Sequence, residues 1–75
     1  MAELVEFLAK SLVDHPEAVS VTQSEAQDVI LLELRVAPED MGKVIGKQGR
    51  IAKAIRALVK AATLKNDKPV FVEIL

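Results

Sequence analysis

A helix restarts in "APEDMGKVIG", yet Gly46 and Gly49 interrupt it before helical spacing resumes near Arg50. Glycine in a helix interior costs about 1 kcal/mol against alanine. Two of them so close together separate a short helix from a longer one. The short helix starts at "APEDMGKVIG", where Pro38 suits a first turn and Glu39 and Asp40 complement the positive end of the helix dipole. The longer helix begins near Arg50, with Ile51, Ile55, Leu58, Val59 and Ala62 on an apolar face and Lys53, Arg56 and Lys60 on another.

The flanking segments have their own periods. Residues 3–13 place Leu4, Phe7, Leu8 and Leu12 at helical spacing, and Pro16 stops the helix they predict. In "EAVSVTQ", Val19 and Val21 alternate. After a polar turn at "SEAQD", "VILLELRV" sets Ile30, Leu32, Leu34 and Val36 on one face and Glu33 and Arg35 on the other. These two strands read as an antiparallel hairpin. "KNDKP" reads as a loop, and "VFVEIL" as a last strand in which Val70, Val72 and Ile74 alternate. The expected class is α+β in the order α-β-β-α-α-β: a three-stranded sheet packed with helices, in one domain over residues 1–75.

A chain of 75 residues, 51% of them hydrophobic, builds an efficient aliphatic core or none. It has no cysteine, which removes disulfides and thiolate zinc sites and fits a reducing compartment. The segment "MAELVEFLAK" carries Glu3 and Glu6 and lacks the basic start and apolar run of a signal peptide, and no apolar run has membrane-spanning length. A cytoplasmic location is expected. The net charge of −1 conceals a strong asymmetry: residues 41–66 hold seven basic side chains (Lys43, Lys47, Arg50, Lys53, Arg56, Lys60, Lys65) and no acidic one. An anionic partner responds to that local field, not to the total.

Three readings compete for "GKVIGKQGR". A nucleotide-binding P-loop needs four residues between its glycines and a hydroxyl after the lysine. Here Gly42 and Gly46 enclose three residues, Lys47 precedes Gln48, and no strand leads in. The dinucleotide pattern G-x-G-x-x-G fails too, because the first spacing is wrong and no strand precedes it. A purely structural turn needs the glycines but not the cations around them. A phosphate clamp for single-stranded nucleic acid needs both. Glycine lets a sugar-phosphate backbone approach the main chain, the N–H groups opening the next helix donate to phosphate, and the cations raise the potential.

The run Val44-Ile45-Gly46-Lys47-Gln48-Gly49-Arg50-Ile51 resembles the Gly-x-x-Gly loop of the KH domain, and the element order resembles its type II arrangement. The resemblance covers the whole chain. It extends to the small bacterial single-KH RNA-binding proteins of the KhpA kind through "ELVEFLAKSLVDHPE", "LELRVAPEDMGKVIGKQGRIAKAIR" and "VEIL". It implies that Gly46, Lys47, Gln48 and Gly49 grip an RNA backbone, with Lys43 and Arg50 flanking and Lys53 extending the basic edge. Val44, Ile45, Ile51, Leu34, Arg35 and Val36 are candidates for the groove, core being the alternative for the apolar ones. It also implies homodimers, pairing with a KhpB-type (Jag or EloR) RNA-binding protein, and a link to cell elongation and division.

The aromatic residues are Phe7 and Phe71, both in patterns that read as packing, so a base-stacking platform is not expected. His15, the one histidine, precedes Pro16 and reads as solvated or capping. No metal site, cofactor or catalytic constellation is expected. The expected function is single-stranded RNA binding as a small RNA chaperone or post-transcriptional regulator, without catalysis. The rivals are a protein adaptor on the same fold and a duplex-DNA reader using the helix pair.

Overall fold

The computed structural model describes residues 1–63 and 68–75; Lys65 and the start of the expected "KNDKP" loop lie outside them. Helix α1 spans Ala2–Leu12, strand β1 Ser20–Glu25 and strand β2 Ile30–Arg35. Helices α2 (Met41–Ile45) and α3 (Arg50–Ala62) follow, and strand β3 (Val70–Ile74) closes the order α-β-β-α-α-β. The sheet order is β1-β2-β3. β1 and β2 form the expected antiparallel hairpin, with Val21 opposite Leu34, while β3 runs parallel to β2, with Leu32 beside Val72. The parallel pairing places the whole α2–α3 unit inside the connection between adjacent strands, as parallel strands require.

Element ends depart from the sequence reading where proline acts. Pro16–Ala18 form a 3-10 turn, so β1 starts at Ser20 and not within "EAV". At the other end of the hairpin Ala37 takes φ −59° and ψ 142° ahead of Pro38, and β2 stops at Arg35. A residue before proline is pushed out of the helical region, and proline has no N–H for a ladder. Val36 therefore leaves the strand and sits half-buried against the core.

The core joins one layer of helices to one face of the sheet: Val5 and Ala9 of α1, Val19, Leu32 and Leu34 of β2, Val44 of α2, Ile55 and Val59 of α3, and Val72 of β3. The buried line of α1 is thus Val5–Ala9, not Leu4, Phe7, Leu8 and Leu12. Leu4 and Leu8 flank it half-buried, and Phe7 is 67% exposed. Small Ala9 lets the helix backbone approach the sheet, which a larger side chain on that line would prevent. On α3, Leu58 likewise falls outside the core at 49% exposure, and Ala62 is exposed. Phe71 is 56% exposed, because it points to the sheet face opposite the helices. Neither aromatic is a packing residue.

Candidate nucleic-acid interface

The break between α2 and α3 is a chain of unusual backbone angles. Gly46 ends α2 at φ 76° and ψ 173°, and its N–H donates to Gly42 O at 2.8 Å. Lys47–Gly49 form one 3-10 turn, closed by the Gly49 N–H donating to Gly46 O at 3.1 Å. Gly49 sits at φ 75° and ψ 15° and caps α3. Gly46 is required on two grounds. Its positive φ disfavours any side chain, and a β-carbon there would lie 2.6 Å from Ile51 Cγ1 and 2.9 Å from Ile51 N. At Gly49 the space is open and only the angle asks for glycine. Between them Gln48 occupies the left-handed region at φ 58°, and it is the one non-glycine with positive φ among the described residues. Such residues cost of order 1 kcal/mol and concentrate at functional sites.

Lys47, Gln48, Arg50 and Lys53 are exposed around this turn. No side chain caps α3 at Gly49, so the first amides of a 13-residue helix present a positive dipole end to an incoming anion. Among the described residues no carboxylate lies within ion-pair distance of Lys47, Arg50, Lys53, Arg56 or Lys60.

Lys43 is different. Its ammonium pairs with the Asp14 carboxylate and lies 3.8 Å from Asp40 Oδ1. The hydrogen bond from Lys43, reinforced by its charge, holds the Asp14 carboxyl below its ordinary range. The same hydrogen bond raises Lys43. Asp40 does not cap α2, although it occupies the position from which it could. Its carboxylate turns away, where Oδ1 accepts the Asp14 N–H at 3.2 Å and Oδ2 the His15 N–H at 2.9 Å. The amides past α1 compete successfully for it because they lack helical partners of their own. The His15 side chain is exposed, with Nδ1 at 3.5 Å from Glu17 Oε1.

Of the groove candidates, Val44 and Leu34 are fully buried core. Ile45 is partly exposed, Ile51 is half-buried against Gly46, Val36 is half-buried, and Arg35 is exposed at the end of β2. β2 is the middle strand, so both of its edges are already used. One open cleft adjoins Arg50 and Ile51 where α3 meets α1, lined also by Leu8, Leu12 and Leu58, and another lies beside β3. Arg56 and Lys60 of α3 face Pro69, Val70, Phe71 and Val72 across a cleft of about 420 Å³. There Arg56 Nε donates to Val72 O at 3.2 Å. Sequence reasoning placed Arg56 and Lys60 on one helix face but not in the site. The i, i+3, i+7 spacing of Lys53, Arg56 and Lys60 was the available signal, since it sets all three on one stripe running from the loop.

Among the described residues no group of three His, Asp or Glu side chains is placed to hold a metal ion, and no helix is long and apolar enough to cross a membrane. The family model for the KhpA/KhpB KH domain matches residues 2–74. A protein of Clostridium perfringens named RNA-binding protein KhpA is 65% identical over 75 residues, the full length of both chains. Relatives of the same name are 55% identical in Listeria monocytogenes, covering all of this chain and 99% of theirs. In Aquifex aeolicus the relative is 48% identical, with coverage of 100% and 95%. Among solved structures, the crystal structure of Aquifex aeolicus Era bound to GDP and aluminium fluoride matches 97% of this chain with a TM-score of 0.66 and 26% identity. This chain spans only 28% of that one, so the likeness concerns one part of a larger protein. Family match, full-length relatives and the Gly46–Gly49 turn agree: the chain belongs to the KhpA/KhpB family of KH domains.

Proposed function

We propose that this protein binds single-stranded RNA through the Gly46–Gly49 turn, without catalysis, as a small RNA chaperone or post-transcriptional regulator. The observation that carries the reading is the turn itself: two glycines at positive φ expose the main chain beside cations with no carboxylate partner among the described residues. Lys47 and Gln48 reach the RNA backbone, Arg50 and Lys53 flank it, and Lys43 belongs to α2, which leads into the turn. The exposed Ile45 and half-buried Ile51 provide apolar surface beside the loop. Arg35 is exposed at the end of β2, and Val36 follows it half-buried against the core. The names of the full-length relatives support RNA as the ligand.

A single loop engages few phosphates, so a second site adds greatly to avidity. We extend the proposal to self-association and to pairing with a KhpB-type partner in the cytoplasm, in a role linked to cell elongation and division. The family description, which covers both KhpA and KhpB, supports the pairing.

The test is binding of a labelled RNA of about 12 nucleotides to wild type and to a Lys47→Asp, Gln48→Asp double variant, with circular dichroism confirming the fold. A loss of at least about tenfold, the cost of replacing charge-assisted contacts by repulsion, is expected. Equal binding by both proteins would overturn the clamp and favour an adaptor role.

A further inference from the structure

Asp40 is the one buried charged side chain among the described residues, at 1% exposure, and gripping RNA gives it no task. A buried carboxylate is a poor device for stability alone, because desolvation offsets most of what its partners return. Its geometry is more informative. The two oxygens accept separate main-chain N–H groups, those of Asp14 and His15, just past the end of α1. Lys43 bridges the same carboxylate and that of Asp14. Both Asp40 and Lys43 lie within the six residues that precede Gly46.

Helix α2 has only five residues, one of them Gly42. So short a helix has no stability of its own and takes its position from tertiary contacts. Val44 supplies one, through the core. The apolar attraction that seats Val44 has no preferred direction. Hydrogen bonds to two separate amides add a defined orientation. Building on the RNA-binding reading, we propose that Asp40 is a positioning residue for the phosphate-binding turn. It ties the start of α2 to the end of α1, so that Gly46–Gly49 is held in its binding geometry before ligand arrives. Lys43 serves in this clasp as the counter-ion of Asp40, and its main effect on RNA is exerted through the helix that carries it.

The test compares amide NMR spectra of the RNA-free protein and RNA affinity for wild type, Asp40→Asn and Lys43→Met. Asp40→Asn, shown folded by circular dichroism, replaces one of the two acceptor oxygens by an NH2 donor, so it loses hydrogen-exchange protection at Asp14 or His15 and displaces the Gln48 and Gly49 amide resonances. It binds RNA about tenfold more weakly, the order expected when a site loses the contacts that orient it. If Asp40→Asn does not fold, Lys43→Met carries the test, because its side chain is partly exposed and the Gln48 and Gly49 resonances must still move. A folded variant that has lost protection at Asp14 or His15 but keeps wild-type Gln48 and Gly49 resonances overturns the proposal. Displaced resonances in a protein whose wild type fails to bind RNA would sink the RNA reading and leave the positioning role standing.

Discussion

Gly46 lies directly against Ile51: a β-carbon added to the glycine would sit 2.6 Å from Ile51 Cγ1 and 2.9 Å from the Ile51 main-chain nitrogen. The backbone nitrogen cannot rotate away, so the clash is relieved only by moving α3 or the end of α2. Gly49, three residues on, has the same positive φ but open space around it. Gly46→Ala should therefore cost about 2–3 kcal/mol, from overpacking added to backbone strain. Gly49→Ala should cost about 1 kcal/mol, from the angle alone. Urea unfolding of the two variants measures both, and equal losses would show that contact with Ile51 does not decide the matter.

Gln48 separates binding from stability. Glycine tolerates its left-handed angles without penalty, so Gln48→Gly relieves strain while adding freedom to the unfolded chain. The two effects nearly cancel, and stability should change by less than about 1 kcal/mol. RNA affinity should nevertheless fall, because the amide is lost. A variant with wild-type affinity would show that Gln48 contributes only its main chain.

The Asp14–Lys43 pair makes a prediction about acid. Asp14 has its folded pKa lowered from the ordinary 3.8, so its contribution is complete above that value and is lost as pH falls through the lowered one. Lys43, raised from 10.5, stays charged throughout that window; its own contribution is present below 10.5 and lost only as pH rises through the raised value. Asp40 and His15 also face the pair, so comparing wild type with Asp14→Asn isolates the one carboxylate. The melting temperatures should differ most near neutrality and converge as pH drops below 3.8. A gap that stays constant down to the lowest pH would mean that the pair is not coupled to folding.

Salt reports on the cleft between α3 and β3. With about three phosphate contacts the slope of log affinity against log salt is near −2, about a twentyfold loss between roughly 50 and 200 mM. If Lys60 meets phosphate there, Lys60→Gln should shallow the slope by about 0.7. Arg56→Lys should retain the slope yet disturb β3, since lysine cannot reproduce the Nε donor to Val72 O. An unchanged slope for Lys60→Gln would confine the RNA to the loop.

What the sequence showed depended on how local the cause was. Element order was readable because each period is written in adjacent residues, and the turn because Gly46 and Gly49 flank Lys47 and Gln48. On α1 the helical spacing of Leu4, Phe7, Leu8 and Leu12 points to a stripe beside the buried Val5–Ala9 line, where the smallness of Ala9 is the deciding property. Asp40 was read as a complement to a helix dipole. Its actual partners, the amides of Asp14 and His15, are 26 and 25 residues away, and no local pattern carries that pairing. The cleft beside β3 was missed for a related reason. Which strand forms an edge follows from the parallel pairing of β2 with β3, and that is decided by topology.

That same parallel pairing has a consequence for how the protein is made. The β1–β2 hairpin can form from neighbouring residues, but β3 reaches β2 only after the chain has travelled through α2, the glycine turn and α3. Contacts between segments so far apart in sequence form late, since the loop between them must be closed first. Val72 is both a β3 residue and part of the core that seats α3, so the platform beneath the turn is completed by the final strand. A chain in which Val70–Ile74 has not yet paired with β2 carries all four residues of the turn and still lacks part of the core on which α3 rests. The geometry of the turn is complete only when the most distant strand in sequence has joined the sheet.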